Sequence, residues 1–80
     1  MLQENEKKLS IIVPVFNEKN FINRLFNELI LYFNNDKVEV IIVDDGSTDG
    51  SFEILNSLKE STTYKFTYKL LKLDINSGKG

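Results

Sequence analysis

Two apolar, β-branched runs constrain what these eighty residues can fold into: Leu9-Ser10-Ile11-Ile12-Val13-Pro14-Val15-Phe16 and Val38-Glu39-Val40-Ile41-Ile42-Val43. Such runs suit strands buried on both faces more than strands with one wet side. Each is followed by a short polar loop and then by apolar residues at helical spacing. Pro14 has no amide to give a ladder, so the first strand is expected to end near it. Phe21, Ile22, Leu25, Phe26, Leu29, Ile30 and Phe33 recur every three or four residues and predict a helix with one wide apolar stripe. Asn17 or Asn20 is suited to cap its start, and Asn34-Asn35-Asp36 to stop it.

The second run ends at Asp44-Asp45-Gly46-Ser47. Ser47 or Thr48 is suited to cap a second helix with Asp49 in its first turn, where the helix dipole favours negative charge. Phe52, Leu55 and Leu58 would form its inner face. Tyr64, Phe66, Tyr68 and Leu70 then alternate with Lys65, Thr67 and Lys69, the pattern of a strand with a wetter side. Leu71 and Leu73 reverse that parity, and a bulge is expected near Leu70.

The order is β-α-β-α-β, which predicts an α/β fold with parallel strands and right-handed helical crossovers. Strands added outward in one direction place both helices on one sheet face. The other face, formed by Ile11, Val13, Ile41 and Val43 or their neighbours, is then expected to lack cover. On this reading residues 1–8 are a polar lead. Residues 9–80 are expected to be the N-terminal half of a larger domain, incomplete as they stand.

Composition removes several chemistries. The sequence has no Cys and no His, so thiolate or imidazole metal sites, Cys nucleophiles and Ser-His-Asp arrangements are excluded. Residues 37–60 carry six acidic and two basic side chains, whereas 61–80 carry four basic and one acidic. An acidic middle does not suit a nucleic-acid binder, which needs a concentrated basic face. Met1–Lys8 is polar, unlike a secretory leader, and no apolar run approaches the roughly 18–20 residues of a membrane helix. A cytoplasmic setting is the expectation.

Ligands of open α/β sheets bind beyond the carboxyl ends of the strands. Three polar clusters fall there: Asn17-Glu18, Asp44-Asp45 and Asn76-Ser77-Gly78-Lys79-Gly80. Asp44-Asp45-Gly46-Ser47 is suited to accept hydrogen bonds from a base and a ribose, or to hold a hard cation, or merely to turn and cap a helix. Two adjacent carboxylates exceed what a turn needs. Asp45 is the better candidate for a ligand contact, with Asp44 satisfying nearby backbone. Glu18 suits a ribose hydroxyl or the first turn of a helix, and Phe16 suits a stacked base or the core. The loop around Lys79 suits a pyrophosphate, through backbone amides and an ammonium, or is simply solvated.

Together these segments resemble family 2 glycosyltransferases of the GT-A (Rossmann-like) fold. The resemblance rests on Ser10-Ile11-Ile12-Val13-Pro14-Val15-Phe16-Asn17-Glu18, on Val40-Ile41-Ile42-Val43-Asp44-Asp45-Gly46-Ser47-Thr48-Asp49-Gly50 and on Asn76-Ser77-Gly78-Lys79-Gly80. It covers nearly the whole chain from Leu9. It implies a nucleotide-diphospho-sugar donor and transfer of the sugar with inversion. Pro14, Phe16 and Glu18 would line the base and ribose, Asp44 and Asp45 would belong to the same site with Asp45 bonding the base, and Lys79 would lie near the pyrophosphate. The Pro-Val-Phe-Asn-Glu and Asn-Ser-Gly-Lys-Gly variants look most like the branch that glycosylates polyprenyl phosphates, the dolichol-phosphate mannosyltransferase type. That branch implies a lipid-linked phosphate acceptor and work at the cytoplasmic face of a membrane.

Family members carry a later Asp-x-Asp that binds Mg²⁺ or Mn²⁺, and later still an acidic general base. Neither motif occurs in these eighty residues. The remainder of the catalytic domain is therefore an expected partner, and the chain by itself is expected to be inactive, with no catalytic residue and no metal ligand of its own. Rival readings are a non-catalytic nucleotide-binding piece, a phosphoacceptor signalling domain and a nucleotidyltransferase. In the signalling domain an aspartate pair would follow the first strand; here it follows the second. A nucleotidyltransferase would place a glycine- and base-rich loop directly after the first strand, where this sequence has Pro14-Val15-Phe16-Asn17-Glu18.

Overall fold

The computed structural model describes residues 9–61 and 63–73. Three strands, β1 (Leu9–Val15), β2 (Val38–Asp44) and β3 (Thr67–Lys72), form one parallel sheet in the order β1-β2-β3. Helix α1 (Ile22–Phe33) joins the first two, preceded by a 3₁₀ turn at Lys19–Phe21. Helix α2 (Ser51–Ser57), followed by a 3₁₀ turn at Leu58–Glu60, joins the last two. This is the α/β fold with parallel strands that the β-α-β-α-β order predicts. An order with β1 at the centre, as in flavodoxin-like signalling domains, is not observed.

The parallel register decides which residues share a face. Ile11 pairs with Val40 and Val13 with Ile42, so these lie on the side that the helices cover. Val15, Ile22, Phe26, Leu29, Val40, Ile42, Leu55 and Phe66 make one buried cluster there, with Ile11, Val13, Leu25 and Tyr68 packed against it. Phe26 sits at its aromatic centre. The Tyr68 ring meets it edge-on with centroids 5.2 Å apart, while Tyr64 and Phe66 stack on each other at 4.7 Å. The Tyr68 hydroxyl donates to the Leu55 carbonyl at 2.8 Å, and the Tyr64 hydroxyl donates to that of Leu58. Burial raises both phenols above the ordinary tyrosine range, and the Tyr64 charge adds to the effect on Tyr68.

The opposite face is open, as expected, and it carries Ile41 and Val43 as named, but not Ile11 and Val13. Period-two alternation puts Ile11 and Val13 under the helices and leaves Ile12 and Pro14 beside Ile41 and Val43. Ile12 is 64% exposed and Leu71 51%. A polar strip crosses this face: Ser10 Oγ donates to Glu39 Oε1 at 3.1 Å, and Lys69 Nζ meets Glu39 Oε2 at 2.8 Å. In this chain the strands are therefore covered on one side only, not on both.

Several local expectations need correction. No bulge interrupts β3, whose pairing runs from Glu39–Thr67 to Asp44–Lys72 in step. The parity change at Leu71 simply turns that side chain to the open face. The strand also begins three residues later than Tyr64, because the Tyr64–Phe66 stack packs under α1 instead of joining the ladder. The stripe of α1 is narrower than predicted: Ile22, Phe26 and Leu29 are buried, while Phe21 and Phe33 are exposed. The end of β1 is as expected, one residue beyond Pro14. None of Asn17, Asn20, Ser47 or Thr48 caps a helix with its side chain; the caps are Phe21 and Gly50. Among the described residues no helix is long and apolar enough to cross a membrane.

Candidate functional site

The carboxyl ends of β1 and β2 open into two loops that are locked together. The Asp45 amide donates to the Val15 carbonyl at 2.8 Å, extending the pairing one step past the strands. On the other side of β2, the Leu73 amide donates to the Asp44 carbonyl at 2.8 Å. Phe16 and Asp45 are thus the first residues of two adjacent loops, each held by backbone.

Asn17 turns the first loop. Its φ is +50°, a left-handed conformation that Asn tolerates better than most residues because its short side chain bonds locally. Here the bond crosses to the second loop: the Thr48 amide donates to Asn17 Oδ1 at 2.7 Å. In return the Asn17 amide donates to Ser47 Oγ at 2.9 Å, the Glu18 amide to Ser51 Oγ at 3.1 Å and the Lys19 amide to Asp49 Oδ2 at 3.1 Å. Asp49 Oδ1 accepts both the Ser51 amide, at 2.9 Å, and the Ser51 hydroxyl. The Ser51 hydroxyl holds the Asp49 carboxyl below the usual aspartate range, so it is charged at neutral pH. Gly50, at φ +95°, supplies the left-handed step that brings Asp49 round to the start of α2.

The candidate residues fall as follows. Pro14 is exposed on the open sheet face, and Phe16, 51% exposed, stands at the end of β1 outside the core. Glu18 is exposed at the entry to the 3₁₀ turn. Asp45 is half-buried, whereas Asp44 is fully buried, with Oδ2 accepting the Ser47 amide at 3.2 Å. A cleft of about 490 Å³ lies between Asn17–Phe21, Arg24 and Asp49. It takes in Glu18 but neither Phe16 nor Asp45, so the candidate contacts stand at the rim of the loops. Lys79 and the loop that carries it lie outside the described residues. Among the described residues no group of three or more Asp or Glu side chains is placed to hold a metal ion. Asp44 is enclosed, and Asp49 is taken up by the Lys19 and Ser51 amides and the Ser51 hydroxyl.

Sequence reasoning passed over the residues that join the loops. Ser47 stands in the candidate loop and Asp49 in the family motif, but neither is expected to tie the two loops together, and Ser51 is not among the candidates. The signal was the density of short oxygen-bearing side chains in Ser47-Thr48-Asp49-Gly50-Ser51, more acceptors than one helix start can use.

A family model described as "Glycosyl transferase family 2" matches residues 10–80. The chain is 33% identical over 82 residues to the probable glycosyltransferase YdaM of Bacillus subtilis, covering 98% of this chain and 19% of that protein. It is 36% identical over 72 residues to the poly(ribitol-phosphate) β-N-acetylglucosaminyltransferase TarS of Staphylococcus aureus, covering 89% and 12%. It is 34% identical over 79 residues to a dolichyl-phosphate β-glucosyltransferase of Dictyostelium discoideum, covering 90% and 24%. Among solved structures it is similar to the mannosyltransferase PcManGT of Pyrobaculum calidifontis in complex with GDP-Man and Mn²⁺. That similarity has a TM-score of 0.71 at 28% identity, over 86% of this chain and 20% of the other. The chain thus spans a quarter or less of the length of each of these proteins.

Proposed function

The chain belongs to glycosyl transferase family 2, and from that premise we propose that it forms the donor-nucleotide part of an enzyme that moves a sugar from a nucleotide-diphospho-sugar to an acceptor with inversion. The observation that carries this reading is the paired loop ends at β1 and β2. Two adjacent parallel strands present Phe16, Glu18 and Asp45 at their carboxyl edge, and the Asp45–Val15 bond fixes the spacing between the loops. An exposed ring offers a face for a base, and two carboxylates offer acceptors for base and ribose donors. Asp45 takes the base contact on this proposal, Glu18 and Phe16 the ribose and base, and Pro14 shapes the edge. Asp44 supports them from below by holding the Ser47 amide. Lys79 is proposed for the pyrophosphate side on sequence position alone.

The solved relative bound to GDP-Man and Mn²⁺ supports a sugar nucleotide as donor and a divalent metal in the complete enzyme. The described residues of this chain place no group of three or more acidic side chains to hold that metal. Similarity to the Dictyostelium protein supports a lipid-linked phosphate as acceptor. Similarity to TarS supports a polyol-phosphate polymer to the same degree. The proposal therefore commits to the donor side.

Equilibrium titration of the eighty-residue chain with GDP and UDP tests it. Binding of either, weakened about tenfold or more by Asp45→Ala through loss of a charged hydrogen bond, is the expected result. No binding of either nucleotide would sink the donor reading. We also propose that this chain alone turns over no sugar nucleotide, because its sequence has no Asp-x-Asp and no group of three or more acidic side chains is placed to hold a metal ion among the described residues. Product above background from a mixture of sugar nucleotides would overturn that.

A further inference from the structure

Resting on the donor-site reading above, we propose that Asp49 is a positioning residue, whose carboxylate, acting with Ser51, fixes the Asn17–Lys19 backbone that presents Phe16 and Glu18 to the nucleotide. Helix starts leave amides that a preceding side chain of the same segment usually satisfies. Helix α1 has no such side-chain cap, and neither does the 3₁₀ turn before it. Instead three successive amides, those of Asn17, Glu18 and Lys19, donate to Ser47, Ser51 and Asp49, side chains 30 or more residues later.

Asp49 is the hub of this arrangement. Oδ2 takes the Lys19 amide directly. Oδ1 takes the Ser51 amide and hydroxyl, which aims the Ser51 oxygen lone pairs at the Glu18 amide. One carboxylate therefore serves the entries of both connecting segments. All of its partners are donors, so an Asn side chain cannot replace it: one oxygen becomes an NH₂ facing another N–H. Asp49 and Lys19 are not members of the buried cluster that holds Val40 and Ile42, so the tie is expected to act first on the loop and not on the sheet. Its consequence for binding is preorganisation, since a loop already fixed gives up less freedom when ligand arrives.

The test uses the eighty-residue chain and its Asp49→Ala and Asp49→Asn variants, with amide hydrogen exchange by NMR and GDP and UDP titration on each. The Asn variant matches the native shape and guards against a misfolded Ala variant, and protection at Val40 and Ile42 reports the fold directly. Exchange at Asn17, Glu18 and Lys19 is expected to rise about tenfold or more in both variants, with Val40 and Ile42 unchanged, and nucleotide affinity to fall about tenfold. Native-like affinity in both variants overturns the positioning role, as does exchange that rises at Val40 and Ile42 as much as in the loop. Failure of the unmodified chain to bind either nucleotide is a different result. It sinks the donor reading itself, and the positioning role with it, whatever the exchange shows.

Discussion

Asp44 and Ser47 are joined by a single hydrogen bond, from the Ser47 amide to Asp44 Oδ2 at 3.2 Å, and the other carboxylate oxygen is buried without a partner among the described residues. A buried acceptor left unpaired costs about 1–3 kcal/mol, and more when charged. Asp44→Asn keeps an oxygen for Ser47 and removes the charge. The expected outcome is a melting temperature that is unchanged or a few degrees higher, since 1 kcal/mol corresponds to about 4–8 °C in a domain of this size. A drop of more than about 1 kcal/mol would show that the carboxylate charge itself stabilises the loop.

Phe26 carries the aromatic centre of the core, with Tyr64, Phe66 and Tyr68 all within ring-contact distance. Removing a buried phenyl ring costs about 3–5 kcal/mol through lost transfer energy and the cavity left behind. That is a large fraction of the total stability of a small domain, about 5–15 kcal/mol at most. Phe26→Ala is expected to abolish the cooperative thermal transition or lower it by more than about 12 °C, about 4 °C or more for each kcal/mol lost. Circular dichroism melting decides this, and a shift smaller than about 1 kcal/mol would mean that the ring cluster is not formed in solution.

The strands and helices were legible because their signals are local. β-Branched runs and three-to-four spacing mark elements whatever their neighbours do. The open face was legible in principle, but recognising that Ile11 and Val13 lie on the covered face needed the parallel register, which places them level with Val40 and Ile42. Leu71 misled for the same reason: its parity reads as a bulge until the neighbouring face is known to be uncovered. At the site, Phe16, Glu18 and Asp45 stood out by residue type at strand ends. The Asp49–Ser51 tie did not, because its bonds to Glu18 and Lys19 span 33 and 30 residues, and within one segment the same residues read as an ordinary helix cap.

Tyr68 links stability to alkaline pH. Its hydroxyl donates to the Leu55 carbonyl, and burial, with a smaller contribution from Tyr64, raises its ionisation above the ordinary range. The fold therefore favours the neutral phenol. That contribution is complete below the unfolded value of about 10 and is lost as pH rises from there toward the raised folded value. Tyr68→Phe is expected to cost about 0.5–1.5 kcal/mol at pH 7 by loss of the hydrogen bond, and to flatten the decline in urea midpoint above pH of about 10. An equally steep decline in the variant would assign the alkaline effect to other groups.

Ile12 and Leu71 stand on the sheet face that no helix covers, beside the half-buried Ile41 and Val43. Contiguous apolar surface of this kind drives association, and here it is interrupted only by the Ser10–Glu39–Lys69 strip. Ile12→Thr keeps the strand preference of a β-branched residue while adding a hydroxyl. Leu71→Glu adds a charge two residues from Lys69 on the same face. The double variant is expected to self-associate less and to bind less of a hydrophobic dye than the unmodified chain. Its stability should stay within about 0.5 kcal/mol, because neither side chain belongs to the buried cluster. Sedimentation velocity across a concentration series checks the first point and urea unfolding the second. Association that persists unchanged in the double variant would locate the sticky surface elsewhere, with the exposed Leu31 and Tyr32 of α1 the next residues to replace.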